Sequence, residues 1–207
     1  MDKVVALRAL EGEMEHDVSL PLQESNLVFG EGDVDAAAMF IGEGPGFHED
    51  RLKRPFVGRA GQLLDELIRE VGWKREQVYI TNILKRRPPE NRDPLPEEIE
   101  VYKPYLARQI DIINPKIVVP LGRFAMNYFM PEAKITRDQG KLFKIGERLI
   151  YPLFHPAAAL RSTEVLRDLR QSFGKLPAIV AGGHPSLPAP PEEKSTKEKK
   201  SRQAALF

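Results

Sequence analysis

Three apolar, β-prone runs of this chain each end on a short polar motif. Ala36-Ala37-Ala38-Met39-Phe40-Ile41 leads into Gly42-Glu43-Gly44-Pro45-Gly46, Val78-Tyr79-Ile80 into Thr81-Asn82, and Leu149-Ile150-Tyr151-Pro152-Leu153-Phe154 into His155-Pro156. The stretches between them have helical spacing. Leu63, Leu64, Leu67 and Ile68 predict a helix over 61–71 that stops at Gly72. Ile99, Tyr102, Leu106, Ile110 and Ile113 predict another over 97–113, opened by Pro96 and ended at Pro115. A short buried run, Ile117 to Leu121, precedes a helix starting at Gly122-Arg123. Residues 141–154 read as a β-hairpin turning at Gly146, and a last helix is predicted over 158–173. Val4, Val5, Leu7 and Leu10 give a short amphipathic helix at the N-terminus.

Strands alternating with helices favour an α/β fold with a parallel sheet covered on both faces. In such sheets ligands bind beyond the carboxyl ends of the strands. If the three runs are neighbouring parallel strands, Glu43, Asn82 and His155 share one crevice. A glycine-rich turn after a strand is also a phosphate cradle, but this one matches neither the dinucleotide nor the P-loop spacing, and no Lys-Ser/Thr follows it. Phe56, between Arg54-Pro55 and Val57-Gly58, adds an aromatic side chain in the following linker.

Composition narrows the chemistry. The chain of 207 residues is long enough for one domain with extensions. It has no cysteine, which excludes disulfides, thiol catalysis and thiolate metal sites. His16, His48 and His184 show no metal-binding pattern. The net charge is only +1, so affinity for nucleic acid must come from local clusters of Lys and Arg. Arg51, Lys53, Arg54, Arg59, Lys85, Arg86, Arg87 and Arg92 supply such a cluster around two of the motif loops. No run is long and apolar enough to cross a membrane, and no signal-peptide pattern opens the chain; a cytoplasmic protein is expected. After about Gly182 a proline-rich and then charged segment is expected to be disordered.

The motifs, taken together and in order, resemble the family 4 uracil-DNA glycosylases. The resemblance rests on Gly42 to Gly46 with Glu49-Asp50, Arg54 to Gly61, Thr81-Asn82 with Lys85, Arg87 to Pro94, and His155-Pro156-Ala157-Ala158 with Leu160-Arg161, and it spans roughly residues 28–176. It implies a three-layer α/β/α fold on a central four-stranded parallel sheet, and excision of uracil from DNA. Residues 1–181 would form the glycosylase domain, with 1–28 as a helical extension packed on it, and 182–207 the tail. Phe56 would stack on the flipped base and Asn82 would read its edge, while His155 would donate to uracil O2. The backbone of Glu43, Gly44 and Pro45 would line the pocket, and the Glu43 carboxylate would orient water or base. Glu49 and Asp50 read equally well as solvated loop acids. Arg59, Lys85, Arg87, Arg92, Leu160 and Arg161 are the expected DNA contacts, with Leu160 and Arg161 filling the gap left by the flipped base. A monomer is expected. The alternatives are a uracil- or single-strand-binding protein without turnover, and a polymerase- or clamp-associated protein of the same fold.

The sequence departs from that family in one respect. Family members usually hold a four-iron four-sulfur cluster on four cysteines, and the corresponding positions here are Glu15, Val18, Arg86 and Tyr102. No cluster and no other cofactor is expected, and Arg86, Tyr102 and the N-terminal helix are expected to fill the volume. The terminal Gln203-Ala204-Ala205-Leu206-Phe207 resembles the pentapeptide by which bacterial repair proteins bind the sliding clamp, with Gln203, Leu206 and Phe207 as the contacts.

Overall fold

Every residue of the strand Ala38–Gly42 is buried, and so is every residue of Tyr79–Asn82 and Ile117–Pro120. Strands buried on both faces are the signature of a sheet covered by helices on two sides. The computed structural model describes residues 2–183 and shows that arrangement. Its elements, in chain order, are α1 (Lys3–His16), β1 (Glu31–Gly32), β2 (Ala38–Gly42), α2 (Phe47–Leu52), α3 (Arg59–Glu70), β3 (Tyr79–Asn82), α4 (Pro96–Ile113), β4 (Ile117–Pro120), α5 (Gly122–Phe129), α6 (Ile135–Asp138), β5 (Phe143–Ile145), β6 (Arg148–Ile150), α7 (Pro156–Ala159), α8 (Thr163–Phe173) and α9 (Leu176–Val180).

The sheet order is β1-β3-β2-β4-β6-β5. Its four inner strands pair in parallel, and β1 and β5 pair antiparallel at the two edges. The expected four-stranded parallel sheet is thus the centre of a six-stranded one. Alternate residues of β2 feed separate cores: Met39 and Ile41 pack with α1, α4 and α5, whereas Ala38 and Phe40 pack with α3, α8 and α9. The Phe40 and Phe173 rings stack at 5.4 Å. These are the three layers.

Helix α1 is an integral part of the first core. Asp2 caps it by accepting from the backbone N–H of Val4 at 2.8 Å. Leu7, Leu10 and Met14 then bury against the face of α4 that carries Tyr102, Leu106 and Ile110. One expected helix is divided: the chain breaks between α7 and α8, and Ser162 caps the second by accepting from Val165 N–H at 3.3 Å. None of the helices is long and apolar enough to cross a membrane among the described residues.

Candidate active site

Register places the first two motifs side by side. Gly42 at the end of β2 pairs with Asn82 at the end of β3. A Cβ at Gly42 would run into both the Asn82 side chain and the Phe56 ring, so a residue without a side chain is what lets all three meet. On the other side of β2, the chain leaves β4 through Leu121, which bridges in parallel to Leu153. Gly122 follows at φ +85°, and a Cβ there would sit 2.9 Å from that of His155. The close approach of these two turns sets the imidazole beyond the same strand ends.

Gly44, Gly46, Glu49, Phe56, Ala60, Asn82 and His155 line one cavity of about 180 Å³. The rings of Phe56 and His155 lie 5.6 Å apart and 28° from parallel. Phe56 takes a left-handed backbone conformation at φ +50°. That conformation is held from behind by Arg75, which donates to the carbonyls of Pro55 at 2.6 Å and Phe56 at 3.3 Å. Arg75 is itself fixed by Glu31 and Asp65 at 2.7 and 2.5 Å.

The protonation of His155 is set by its own helix. Its Nδ1 accepts from the backbone N–H of Ala157 at 3.1 Å, capping α7, which leaves the proton on Nε2. Desolvation in the pocket wall pushes its pKa down to about 4, against a smaller opposing pull from Glu49. At neutral pH it is therefore an uncharged donor. Asn82 is 2% exposed, and its Oδ1 has no hydrogen-bond partner. A buried amide oxygen left unpaired costs roughly 1–3 kcal/mol, which a ligand N–H in the cavity would recover.

Glu49 and Asp50, which read equally well as site or loop acids, both accept from backbone N–H groups. Glu49 lies in the cavity wall, and its Oε1 accepts from Val57 N–H at 2.9 Å and Gly58 N–H at 2.7 Å, fixing the loop that carries Phe56. Asp50 accepts from Asn26 N–H at 2.7 Å and ties the N-terminal segment to α2. Glu43 and Pro45 are not among the lining residues. Burial raises the Glu43 pKa to about 7, with Asp93 adding to the rise and Arg123 opposing it.

The basic residues also need sorting. Lys85 cannot reach a phosphate: it is wholly buried, and its ammonium donates to Phe29 O at 3.3 Å, Gln109 Oε1 at 2.6 Å and Thr81 Oγ1. Desolvation pushes its pKa well down. Arg86 is also buried, donating to Ser25 O. Arg92 is engaged by Glu98 at 2.5 Å and Arg54 by Glu31 at 2.7 Å. Arg59, Leu160 and Arg161 are exposed and Arg87 half-exposed. Charge alone did not distinguish the buried from the free; the apolar residues Ile83 and Leu84 just before Lys85 were the available signal. Gln203, Leu206 and Phe207 lie outside the described residues.

Comparison with known proteins gives the class first. The sequence model of the uracil DNA glycosylase superfamily matches residues 29–175. The chain is 46% identical to a type-4 uracil-DNA glycosylase of Sulfurisphaera tokodaii over 162 residues, covering 73% of this chain and 74% of that one. Similar enzymes of the same description come from Thermotoga maritima, at 45% over 78% of this chain and 86% of the relative, and Archaeoglobus fulgidus, at 39% over 79% and 87%. The chain belongs to the type-4 uracil-DNA glycosylases.

The iron-sulfur cluster associated with that family does not fit the residues present. At two of the expected ligand positions stand Arg86, a cationic donor, and Tyr102, whose buried hydroxyl donates to Pro21 O at 2.8 Å. Burial raises the Tyr102 pKa, so it stays a phenol. There is no cysteine in the chain, and no group of three or more metal-ligating side chains among the described residues.

Proposed function

We propose that this chain excises uracil from DNA by hydrolysing the N-glycosidic bond, and that the cavity beyond β2, β3 and β6 receives the flipped base. The observation that carries this reading is the meeting of Phe56, Asn82 and His155 around one cavity. Taking a base out of the stack needs a surface to receive it, and the Phe56 ring supplies one. Uracil offers an N3–H donor beside an O4 acceptor, which match the carboxamide of Asn82; cytosine presents the reverse pattern at that edge. Mismatched hydrogen bonds in a buried pocket discriminate strongly.

Breaking the glycosidic bond leaves negative charge on uracil O2. The neutral His155 Nε2–H is the donor for that charge, and a positioned donor of this kind contributes about 10²–10³ in rate. Glu43, whose carboxylate accepts no hydrogen bond among the described residues, is the group we assign to orienting the attacking water once ionised. Glu49 serves the loop instead. Arg59, Arg87, Leu160 and Arg161 are the surface contacts proposed for DNA, with salt-dependent affinity. No step is assigned to an iron-sulfur cluster, because the chain carries no thiolate to hold one. We assign a cytoplasmic monomer, tethered through Gln203, Leu206 and Phe207 to a bacterial sliding clamp; deletion of 203–207 should abolish clamp binding and leave excision intact.

The test is uracil release from a uracil-containing oligonucleotide, read as strand scission after alkali. The wild-type chain should cleave and His155→Ala should lose about 10²–10³ in kcat. No cleavage by the wild type, with binding of the oligonucleotide retained, would make it a recognition module.

A further inference from the structure

Helix α2 contributes no buried residue to either core, yet it carries large apolar side chains. Phe47, its first residue, is 53% exposed, the only aromatic among the exposed large hydrophobic residues described. Core packing does not account for it. The ring is nevertheless held in place. The Arg87 guanidinium lies over it at 5.3 Å from the centroid, and the His48 ring meets it edge-on at 5.5 Å. Arg87 is in turn anchored by donating from Nε to Asn91 Oδ1 at 2.7 Å, and its own carbonyl accepts from Ser25 Oγ at 2.8 Å. Phe47 also directly follows Gly46, which lines the cavity. An aromatic ring braced by a cation at the rim of a base-receiving pocket is what a stacking surface for a second base requires.

We propose that Phe47, braced by Arg87, is a stacking platform for the nucleobase adjacent to the flipped uridine, and that it favours single-stranded over duplex substrate. The proposal rests on the glycosylase reading. Its occupant follows from the chemistry of the rim: a planar base for the open part of the ring, and a phosphate for the Arg87 charge. The preference follows from what the neighbouring base loses by binding there. In a duplex it is already paired and stacked, and must surrender both. In a single strand it is free, and stacking on protein is nearly all gain.

The experiment compares kcat/KM for uracil release from a single-stranded oligonucleotide and its duplex, for wild type, Phe47→Ala, Phe47→Trp and Phe47→Leu. Base–aromatic stacking is worth about 5- to 150-fold per base. Phe47→Ala should lower the single-strand-to-duplex ratio by about that much, Phe47→Trp should keep it, and Phe47→Leu should not restore it. An unchanged ratio in Phe47→Ala, or a ratio restored as well by Leu as by Trp, overturns the platform while leaving the glycosylase intact. If the wild type releases no uracil, the glycosylase reading fails by itself. Fluorescence anisotropy with the labelled single strand then decides: equal binding by wild type and Phe47→Ala overturns the platform.

Discussion

Arg75 and Phe56 stand nineteen positions apart in the chain, and the guanidinium of one holds the carbonyl of the other at 3.3 Å. A phenylalanine at positive φ costs on the order of 1–3 kcal/mol and persists only where its surroundings enforce it. Arg75 is the enforcing group, since it binds two successive carbonyls and two carboxylates at once. Arg75→Met should destabilise the protein by about 1.5–3 kcal/mol, the range for lost charge-assisted hydrogen bonds, read from the urea midpoint. It should also lower kcat/KM at least tenfold under conditions where it remains folded, because a displaced stacking ring misplaces the substrate. Arg75→Lys keeps the charge but not the planar fork and should recover little. Equal activity in Arg75→Met and wild type would remove Arg75 from the control of Phe56.

Gly42 is the point at which the motifs touch. In Gly42→Ala the new methyl meets the Asn82 amide and the Phe56 ring. Its effect should fall on function more than on stability: excision down by about 10² from a displacement near 1 Å, with far smaller movement of the thermal midpoint. Full activity in Gly42→Ala would show that Asn82 and Phe56 have slack that their packing denies.

Two titrations set the pH behaviour. With Glu43 at about 7 and acting as carboxylate, kcat/KM should rise between pH 6 and 8 with an apparent pKa near 7, and Glu43→Gln should be slow and flat across that window. Its folded pKa lies above its ordinary value, so its contribution to stability is present below about pH 4.5 and is lost as pH rises through 7. His155 works the other way. Its pKa is depressed to about 4, so the unfolded chain binds the proton first; its contribution is complete above about 6.5 and lost as pH falls toward 4. A pH–rate profile for wild type and Glu43→Gln checks the first, and denaturation midpoints of wild type and His155→Gln between pH 4 and 7 the second. A Glu43→Gln profile that keeps the wild-type inflection would assign that pKa to another group.

Tyr102 tests what fastens α1. Tyr102→Phe removes the hydroxyl that donates to Pro21 O and faces Arg86, and should cost about 1 kcal/mol or slightly more. Tyr102→Ala opens a cavity where α1 and α4 meet and should cost about 3–5 kcal/mol. Urea denaturation of the two variants separates the bond from the packing. A negligible effect of Tyr102→Ala would mean that α1 is held by the remaining contacts, such as the Arg108–Glu13 pair.

The sheet was legible because β2 and β4 are apolar throughout and β3 is entered through Val78-Tyr79-Ile80, and the helices between them because their apolar residues recur at helical spacing. The meeting of Asn82 and His155 followed from one topological rule about strand ends. What stayed hidden was decided by side-chain partners. Lys85 looks like any loop cation until Phe29, Thr81 and Gln109 are seen to surround it. Glu49 looks like a solvated acid until two backbone N–H groups are found on it. Strand β1 is two residues long and pairs with β3 only after the chain folds back, so no local periodicity announces it. Likewise the break between α7 and α8 is invisible to spacing, because Ser162 marks it only through its cap.

Tyr102 and Arg86 bond to carbonyls of the segment that leads from α1 to the sheet, and both are made of light atoms alone. Hydrogen bonds alone hold the segment at these two positions, and neither side chain offers iron a thiolate to grip.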